Sequence, residues 1–369
     1  MLENQLSRYG SIPKVSWETL GITGRVFFAV NPLAEHVRTW QDTSTQTVRN
    51  PADWYSNLLN QFPPDKDGVV RFCSTIQAAV DASQNYITNL DTGANLANGA
   101  RGDMVLVGPG KWKENVLVYQ HPGLKIIGPS GRDGLGNYMA QMRSSDATTL
   151  YPITSLGLGG AAGCTFSVLS KGVEVAGFMF DADGGHAGIY IGGGLYNTVM
   201  NAAGVNTETT HGCYIHHNHF RYGNYGIVLD GAKMGNRISD NIFYNQVYAG
   251  ISMWSGNASN ENTLIKENDF AMGNAAYGVW IYGEANSCLT TLIAKNTFRD
   301  GYGKVATAAI KNMNATGGGV VGVCGNLFAC SVPMILSTGD WVSGNHYGFA
   351  GSATANLNLF GMENAAGAH

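Results

Sequence analysis

The sequence predicts an all-β solenoid, a parallel β-helix, and three observations support this fold class. First, a short pattern occurs six times within residues 215–347, with an aliphatic residue three places before an Asn and an aromatic residue two places after it. Second, successive Asn residues lie 23, 27, 28, 30 and 19 residues apart, which is typical of stacked repeats with insertions between them. Third, β-branched and aromatic residues recur at a spacing of two within each repeat, and no apolar run in the repeats has a helical period.

The Asn of each repeat predicts a bend, and we interpret it as structural. Asn tolerates the left-handed backbone that sharp turns often require, and stacked amides can hydrogen-bond along a solenoid axis. The predicted ladder consists of Asn218, Asn241, Asn268, Asn296, Asn326 and Asn345. The aromatic residues two places on predict a stack in the core, made of Phe220, Phe243, Phe270, Phe298, Phe328 and Tyr347.

A second strand follows most copies, in residues 226–229, 250–253 and 278–281, and a related segment precedes them at 188–191. Because side chains alternate along a strand, one face should carry aliphatic residues only. These are Ile227, Leu229, Ile251, Met253, Val279 and Ile281. Val228, Ser252 and Trp280 should then lie on the opposite face.

This pattern resembles the right-handed parallel β-helix of the pectin-lyase-like superfamily over residues 67–347. The resemblance implies a fold and leaves the function open, because that architecture hosts lyases, hydrolases, adhesins and phage tail proteins.

The chain divides into three predicted parts. Residues 1–66 lack the repeat and form a small N-terminal attachment region, with a strand at 24–30 and a short helix at 51–59. Residues 67–347 form the β-helix and include an amphipathic helix at 74–83, which starts with a capping box of Ser74 and Gln77. This helix should cover the first coil, whose apolar side chains and open strand edges would otherwise promote aggregation. Residues 348–369 form a small, polar C-terminal tail.

Three predicted strands at 102–110, 112–118 and 124–128 form the first full coil, and residues 129–164 are expected to be loops. At about 25 residues per coil, the solenoid should have about nine or ten coils and a length of about 45 Å.

Composition excludes several functions. Lys and Arg are sparse, with 22 of them against 26 acidic residues and a net charge of −4, so a nucleic-acid partner is not expected. No segment is apolar enough for a signal peptide or a membrane span. The six Cys lack metal-ligand spacing, so we expect reduced thiols, no metal and no cofactor.

The opening segments at 24–28, 65–72, 74–82 and 102–110 look like those of tailed-phage head-associated decoration proteins. This resemblance implies a homotrimeric cement or spike protein, made in the host cytoplasm and located on the virion. Its partner would be the phage major capsid protein or another virion protein.

Catalytic candidates are weak. Asp181 and Asp183, with His186 nearby, are the best carboxylate pair, and Asp230 and Asp240 are candidates from neighbouring coils. The spacing of two places Asp181 and Asp183 on the same face only if the strand continues past Phe180. The glycines that follow favour a solvated turn instead.

Two further groups of residues are incomplete as chemical sites. His211 and Arg237 resemble fragments of a polygalacturonase pattern, whose adjacent Asp pair and Lys are missing. Alternation should place His217 and His219 on one face and His216 on the other, so a metal site is not expected.

Tyr190, Trp280 and Tyr282 should point outward as an aromatic face, with further Tyr residues at the bends. Such a face can bury itself against a sister subunit or bind sugar. We therefore expect a non-enzymatic virion protein. The alternative is a tailspike-like polysaccharide lyase or hydrolase, or a glycan-binding module, that acts on a bacterial surface glycan.

Overall fold

The computed structural model describes residues 25–30, 60, 62–64, 68–84, 102–108, 110–119, 121–129, 140–143, 164–181, 185, 187–192, 210–254, 260–282, 290–313, 320–337 and 339–348. One helix, α1 (Ile76–Gln84), lies between the second and third strands of this part of the chain. The strands are, in chain order, β1 (Val26–Ala29), β2 (Phe72–Cys73), β3 (Met104–Val107), β4 (Gly110–Lys113), β5 (Val116–Tyr119), β6 (Lys125–Ile127), β7 (Ala140–Arg143), β8 (Cys164–Leu169), β9 (Glu174–Ala176), β10 (Phe178–Asp181), β11 (Ala187–Gly192), β12 (Tyr214–His216), β13 (His219–Arg221), β14 (Tyr225–Asp230), β15 (Lys233–Met234), β16 (Arg237–Ser239), β17 (Ile242–Tyr244), β18 (Ala249–Trp254), β19 (Asn260–Glu261), β20 (Thr263–Lys266), β21 (Asp269–Met272), β22 (Tyr277–Ile281), β23 (Thr290–Ala294), β24 (Thr297–Asp300), β25 (Ala308–Asn312), β26 (Val320–Cys324), β27 (Leu327–Ala329), β28 (Met334–Ile335), β29 (Trp341–Ser343) and β30 (His346–Tyr347).

Three long parallel sheets run along the solenoid, and they confirm the predicted right-handed parallel β-helix. Sheet A has the order β2-β1-β3-β6-β9-β12-β16-β20-β23-β26-β29. Sheet B has the order β30-β27-β24-β21-β17-β13-β10-β7-β4, and sheet C the order β28-β25-β22-β18-β14-β11-β8-β5. Strands β15 and β19 form a short fourth sheet. Within the described residues, eight turns contribute a strand to each long sheet, and β29 and β30 belong to a ninth.

Two details of the first coils differ from the sequence prediction. Residues 124–128 were assigned to the first coil, but β6 pairs with β3 in sheet A and therefore begins the second turn. Residues 129–164 were expected to be loops, yet β7 lies in sheet B between β4 and β10. The segment of β7 has only four residues and no copy of the Asn pattern, so its sequence gave little sign of a strand.

The N-terminal end of the solenoid is closed by α1. Ile76, Ala79 and Val80 of α1 are fully buried, and the helix packs on β1, β2 and β3. Strand β1 lies within the region predicted for attachment and pairs with both β2 and β3. This part of the N-terminal region therefore belongs to the first layers of sheet A.

The predicted capping box of Ser74 and Gln77 is wrong. Thr75 is the N-cap residue, because its Oγ1 accepts a hydrogen bond from the Ala78 amide at 3.0 Å. The carboxylate of Glu114, from the turn between β4 and β5, accepts the amides of Ile76 and Gln77 at 3.1 Å. Gln77 instead bonds the backbone of Leu117 through both of its amide groups. Burial raises the pKa of Glu114 although the two amides oppose that effect.

The core contains a continuous column of aromatic rings. Adjacent rings from Phe180 through the predicted stack to Tyr347 have centroids 4.6–5.6 Å apart and planes within 16° of parallel. Beside this column lie four glycines at which a Cβ would be only 2.6–2.8 Å from a Phe ring, namely Gly188, Gly226, Gly250 and Gly278. The absence of a side chain at these positions makes room for the stack.

Candidate functional site

The six predicted Asn residues form one column at the junction between sheets A and B. Nδ2 of Asn241 donates to Oδ1 of Asn268 at 3.0 Å, and that same Oδ1 accepts the backbone amide of Asn241 at 3.0 Å. Nδ2 of Asn241 also lies 2.9 Å from the carbonyl oxygen of Ile215 in the preceding coil. Equivalent bonds link Asn218, Asn268, Asn296, Asn326 and Asn345. The column provides hydrogen-bond partners for backbone amide and carbonyl groups at the bend between sheets A and B.

The backbone explanation proposed for Asn is wrong. The left-handed residue is the one before each Asn, with φ of 53–62° at His217, Asp240, Glu267, Lys295, Gly325 and Gly344. Asn is therefore selected by its side-chain hydrogen bonds, while residues of several types occupy the left-handed position.

The weak carboxylate candidates do not meet. Asp181 ends β10 in sheet B, Asp230 ends β14 in sheet C, and Asp240 lies in the turn after β16 of sheet A. One oxygen of Asp181 is buried without a hydrogen-bond partner in the described structure. Asp183 and His186 lie outside the described residues.

Six of the aliphatic residues of sheet C point into the core, as predicted, and are fully buried. Their neighbours on the outer face are less exposed than expected. Tyr190 is only 4% exposed and donates a hydrogen bond from its hydroxyl to the buried carboxylate of Asp230 at 2.7 Å. Burial, reinforced by Asp230, raises the pKa of Tyr190. The expectation of an exposed Tyr190 is therefore wrong.

Further along sheet C, aromatic side chains do reach the surface. Tyr277 and Trp280 lie on β22 with ring centroids 5.2 Å apart, and Trp280 lies 5.3 Å from Tyr282. On the preceding coils, the ring of Tyr225 lies 5.6 Å from that of Tyr248 and 5.5 Å from that of Trp254. Tyr248 is 48% exposed and Tyr282 is 41% exposed. We call this surface the aromatic face; it consists of Tyr248, Trp254, Tyr277, Trp280 and Tyr282. Tyr248 and Trp254 pack against the buried ring of Tyr225.

Polar groups accompany the aromatic face. Lys311 on β25 is the register neighbour of Trp280, and its Nζ donates to the hydroxyl of Tyr277 at 3.1 Å. The Oγ of Ser252 and the Nε1 of Trp280 are buried without a hydrogen-bond partner in the described structure. Rings together with a few polar groups are the usual composition of a sugar-binding surface.

Sequence reasoning missed a polar cluster on the outer face of sheet A. Glu174 on β9 accepts hydrogen bonds from Lys125 at 3.1 Å and from Nε2 of His216 at 3.0 Å. Burial favours protonation of Glu174, but His216 and Lys125 outweigh it and hold its pKa below the ordinary value. The register β6-β9-β12 makes these three side chains neighbours although up to 91 residues of sequence separate them.

The cluster extends to the next strand. The ring of Tyr214 stacks on that of His216 with centroids 3.9 Å apart, and the guanidinium of Arg237 lies 4.8 Å from the centre of the Tyr214 ring. The Nδ1 atoms of His216 and His217 lie 2.7 Å apart. Simple alternation placed these two His residues on opposite faces, and this failed because His217 leaves the strand in the left-handed conformation.

The described ranges contain neither a candidate metal site nor a candidate membrane-spanning helix. There, no group of three or more His, Cys, Asp or Glu residues is arranged to hold a metal ion. The one described helix does not have the length and apolar character needed to cross a membrane. Cys73, Cys164, Cys213, Cys324 and Cys330 are free thiols, and Cys288 lies outside the described residues.

Comparison with known proteins gives a partial match. A family model described as "Periplasmic copper-binding protein (NosD)" matches residues 182–354. No curated protein sequence matches significantly.

Solved structures of low identity match as well. The PfbA surface adhesin of Streptococcus pneumoniae is 16% identical, with coverage of 74% of this chain and 87% of that one and a TM-score of 0.41. XylC in complex with xylose is 14% identical, with a TM-score of 0.38 and coverage of 64% of this chain. The present chain spans only 38% of that XylC chain.

Proposed function

We propose that this protein is a structural component of a bacteriophage virion, either a trimeric capsid decoration (cement) protein or a spike. One observation carries the proposal: the opening segments that resemble phage decoration proteins pack together as one structural unit. Strands β1, β2 and β3 are adjacent in sheet A, and α1 packs on all three. The resemblance therefore involves residues that act together in the fold.

The contacts between successive coils of the solenoid support a structural role. The Asn column and the ring column join successive coils by direct contacts at every turn, with centroid spacings close to the strand spacing of about 4.8 Å. Coils held in this way give a stiff particle component that needs no large globular core.

Two measurements test this proposal. Mass spectrometry of purified phage particles should find the chain in stoichiometric amounts, and its absence from the particles would refute a virion role. Light scattering coupled to size-exclusion chromatography should give about three times the chain mass of 39.2 kDa. A monomer at micromolar concentration would contradict the trimer.

The aromatic face favours a second function, the binding of a bacterial surface glycan. Exposed Tyr and Trp rings provide rigid apolar surfaces on which the C–H face of a sugar ring packs. Trp280 and Tyr282 lie next to each other on this face, and Tyr282 is exposed. A virion protein that carries such a face would contribute to adsorption on the host cell.

A glycan panel tests the second function and separates it from an enzymatic one. Binding to at least one bacterial polysaccharide should fall about tenfold in Tyr282→Ala, while Tyr302→Ala, which alters a fully exposed ring on another turn, should bind normally. Release of reducing ends or unsaturated sugars from the same panel would indicate a hydrolase or lyase. Loss of that release in Asp181→Asn would place the chemistry at Asp181.

A further inference from the structure

Lys311 gives the aromatic face a positive charge. Its Nζ lies 3.1 Å from the hydroxyl of Tyr277 and 5.0 Å from the centre of the Tyr277 ring. A cation over the face of an aromatic ring is attracted by the ring quadrupole, so the ammonium group is held beside the rings. Register with Trp280 places Lys311 on the next strand of sheet C, beside the row formed by Tyr277, Trp280 and Tyr282.

No described carboxylate neutralises this charge. Lys125, Lys266 and Arg299 each pair with a carboxylate, whereas Lys311 forms no ion pair with a described residue. Asp230 ends β14, three strands away in sheet C, and its carboxylate accepts the hydroxyl of Tyr190. Asp340, which bonds the neighbouring Asn312, is occupied by that amide and by the backbone amides of Val321 and Ser337.

We propose that the aromatic face selects acidic glycans, with Lys311 pairing with the carboxylate of a sugar whose ring packs on Trp280 and Tyr282. This inference rests on the glycan-binding function proposed above and specifies its ligand class. A hydrogen bond between an ammonium group and a carboxylate is stronger than one between neutral groups. The apolar rings around Lys311 keep water from competing for this bond.

The test compares each acidic glycan with its own neutral derivative. The probes are hyaluronan, oligosialic acid and oligogalacturonate fragments, each assayed beside its carboxyl-reduced form by isothermal titration calorimetry on the full chain. For the preferred fragment, the wild-type protein should bind the acidic form about tenfold more tightly than the reduced form. That preference should weaken as salt rises.

Variants at Lys311 separate charge from packing. Lys311→Gln should lose about tenfold in affinity for the acidic form and leave the reduced form unchanged, whereas Lys311→Arg should retain most of the preference. Lys304→Gln is the matched control, because Lys304 is an exposed lysine in the loop between β24 and β25, outside the aromatic face. Unchanged thermal melting of the variants would show that they are folded.

The outcomes distinguish the two proposals. Equal binding of acidic and reduced glycans, unaffected by Lys311→Gln, would overturn the acidic specificity and leave glycan binding intact. No binding of any glycan would overturn both.

Discussion

At the scale of single residues, each Asn of the ladder serves two coils at once. The amide of Asn268 accepts from Asn241 and donates towards Asn296 and the carbonyl oxygen of Ile238. Only a side chain with an acceptor and two donors in one plane makes this set of bonds. Asp would lack the donors, and Ser would lack the reach.

Replacement of Asn268 should therefore be costly. Asn268→Ala removes the acceptor of the buried Asn241 amide, and we expect a loss of about 2–4 kcal/mol in the free energy of unfolding, since several buried groups lose their partners. Urea denaturation monitored by fluorescence would measure it. The control is Asn274→Ala on an exposed turn, expected within about 0.5 kcal/mol of wild type. Similar losses in both variants would contradict a special role for the ladder.

Gly250 provides a second test at this scale. A Cβ at Gly250 would lie 2.8 Å from two atoms of the Phe270 ring and 2.9 Å from the carbonyl oxygen of Gly278. Since both are packed in the core, Gly250→Ala should destabilise the protein by about 1–3 kcal/mol. Gly348→Ala, whose Cβ would meet nothing closer than 4.0 Å, should be neutral by the same denaturation assay. A neutral Gly250→Ala would mean that the ring column can shift.

At the scale of elements, the strands of sheet A are joined on their outer face by the cluster around Glu174. Its carboxylate links β9 to β6 through Lys125 and to β12 through His216. Glu174 is largely shielded from solvent, so its charged hydrogen bonds are worth more than those of an exposed pair.

The pH dependence of stability should report on this link. Because the pKa of Glu174 is lowered in the folded protein, its ionised form stabilises the fold above the ordinary value of 4.5, and that contribution disappears as pH falls through the folded pKa. Glu174→Gln should be less stable by about 1–2 kcal/mol at pH 7, and the difference should shrink in acid. Urea denaturation midpoints of wild type and variant, measured from pH 7 down into acid, would test this prediction.

The control is Glu267→Gln, whose carboxylate forms a more exposed ion pair with Lys266 and whose loss should change the stability little. If Glu174→Gln lowers the free energy of unfolding by the same amount at every pH, the loss comes from altered packing and not from the charge of Glu174.

At the scale of the whole molecule, an open β-helix end presents apolar side chains and unpaired strand edges. The helix α1 covers this surface at the N-terminal end, where Val80 is fully buried. Unlike the interior coils, which are covered on both sides by their neighbours, the first coil depends on this cap.

Disruption of the cap should therefore promote association. Val80→Asp buries a charge without a partner, so α1 should detach and the exposed end should aggregate. Time-resolved light scattering at 37 °C should show faster aggregation than for wild type. Val70→Asp adds the same charge at an exposed position and should behave like wild type. Monodisperse Val80→Asp protein would show that the cap is dispensable.

The fold was predictable from the sequence because a solenoid repeats its local interactions. Each coil meets only its neighbours, so the residues that form a column must recur at similar spacing, as Phe243 and Phe270 do. Strand β7 was missed because it carries no such repeat. The aromatic face could be partly located, since Trp280 alternates with core residues on its strand, but the burial of Tyr190 could not be foreseen.

The sequence by itself determined the repeat, the inward columns and the presence of a helical cap, because these follow from the spacing of apolar residues within each strand or helix. Only the tertiary structure decided which residue takes the left-handed turn, that Glu114 caps α1, and that Lys125, Glu174 and His216 form one cluster. Those features depend on the register between coils, and the insertions between repeats set that register through contacts that no local pattern records.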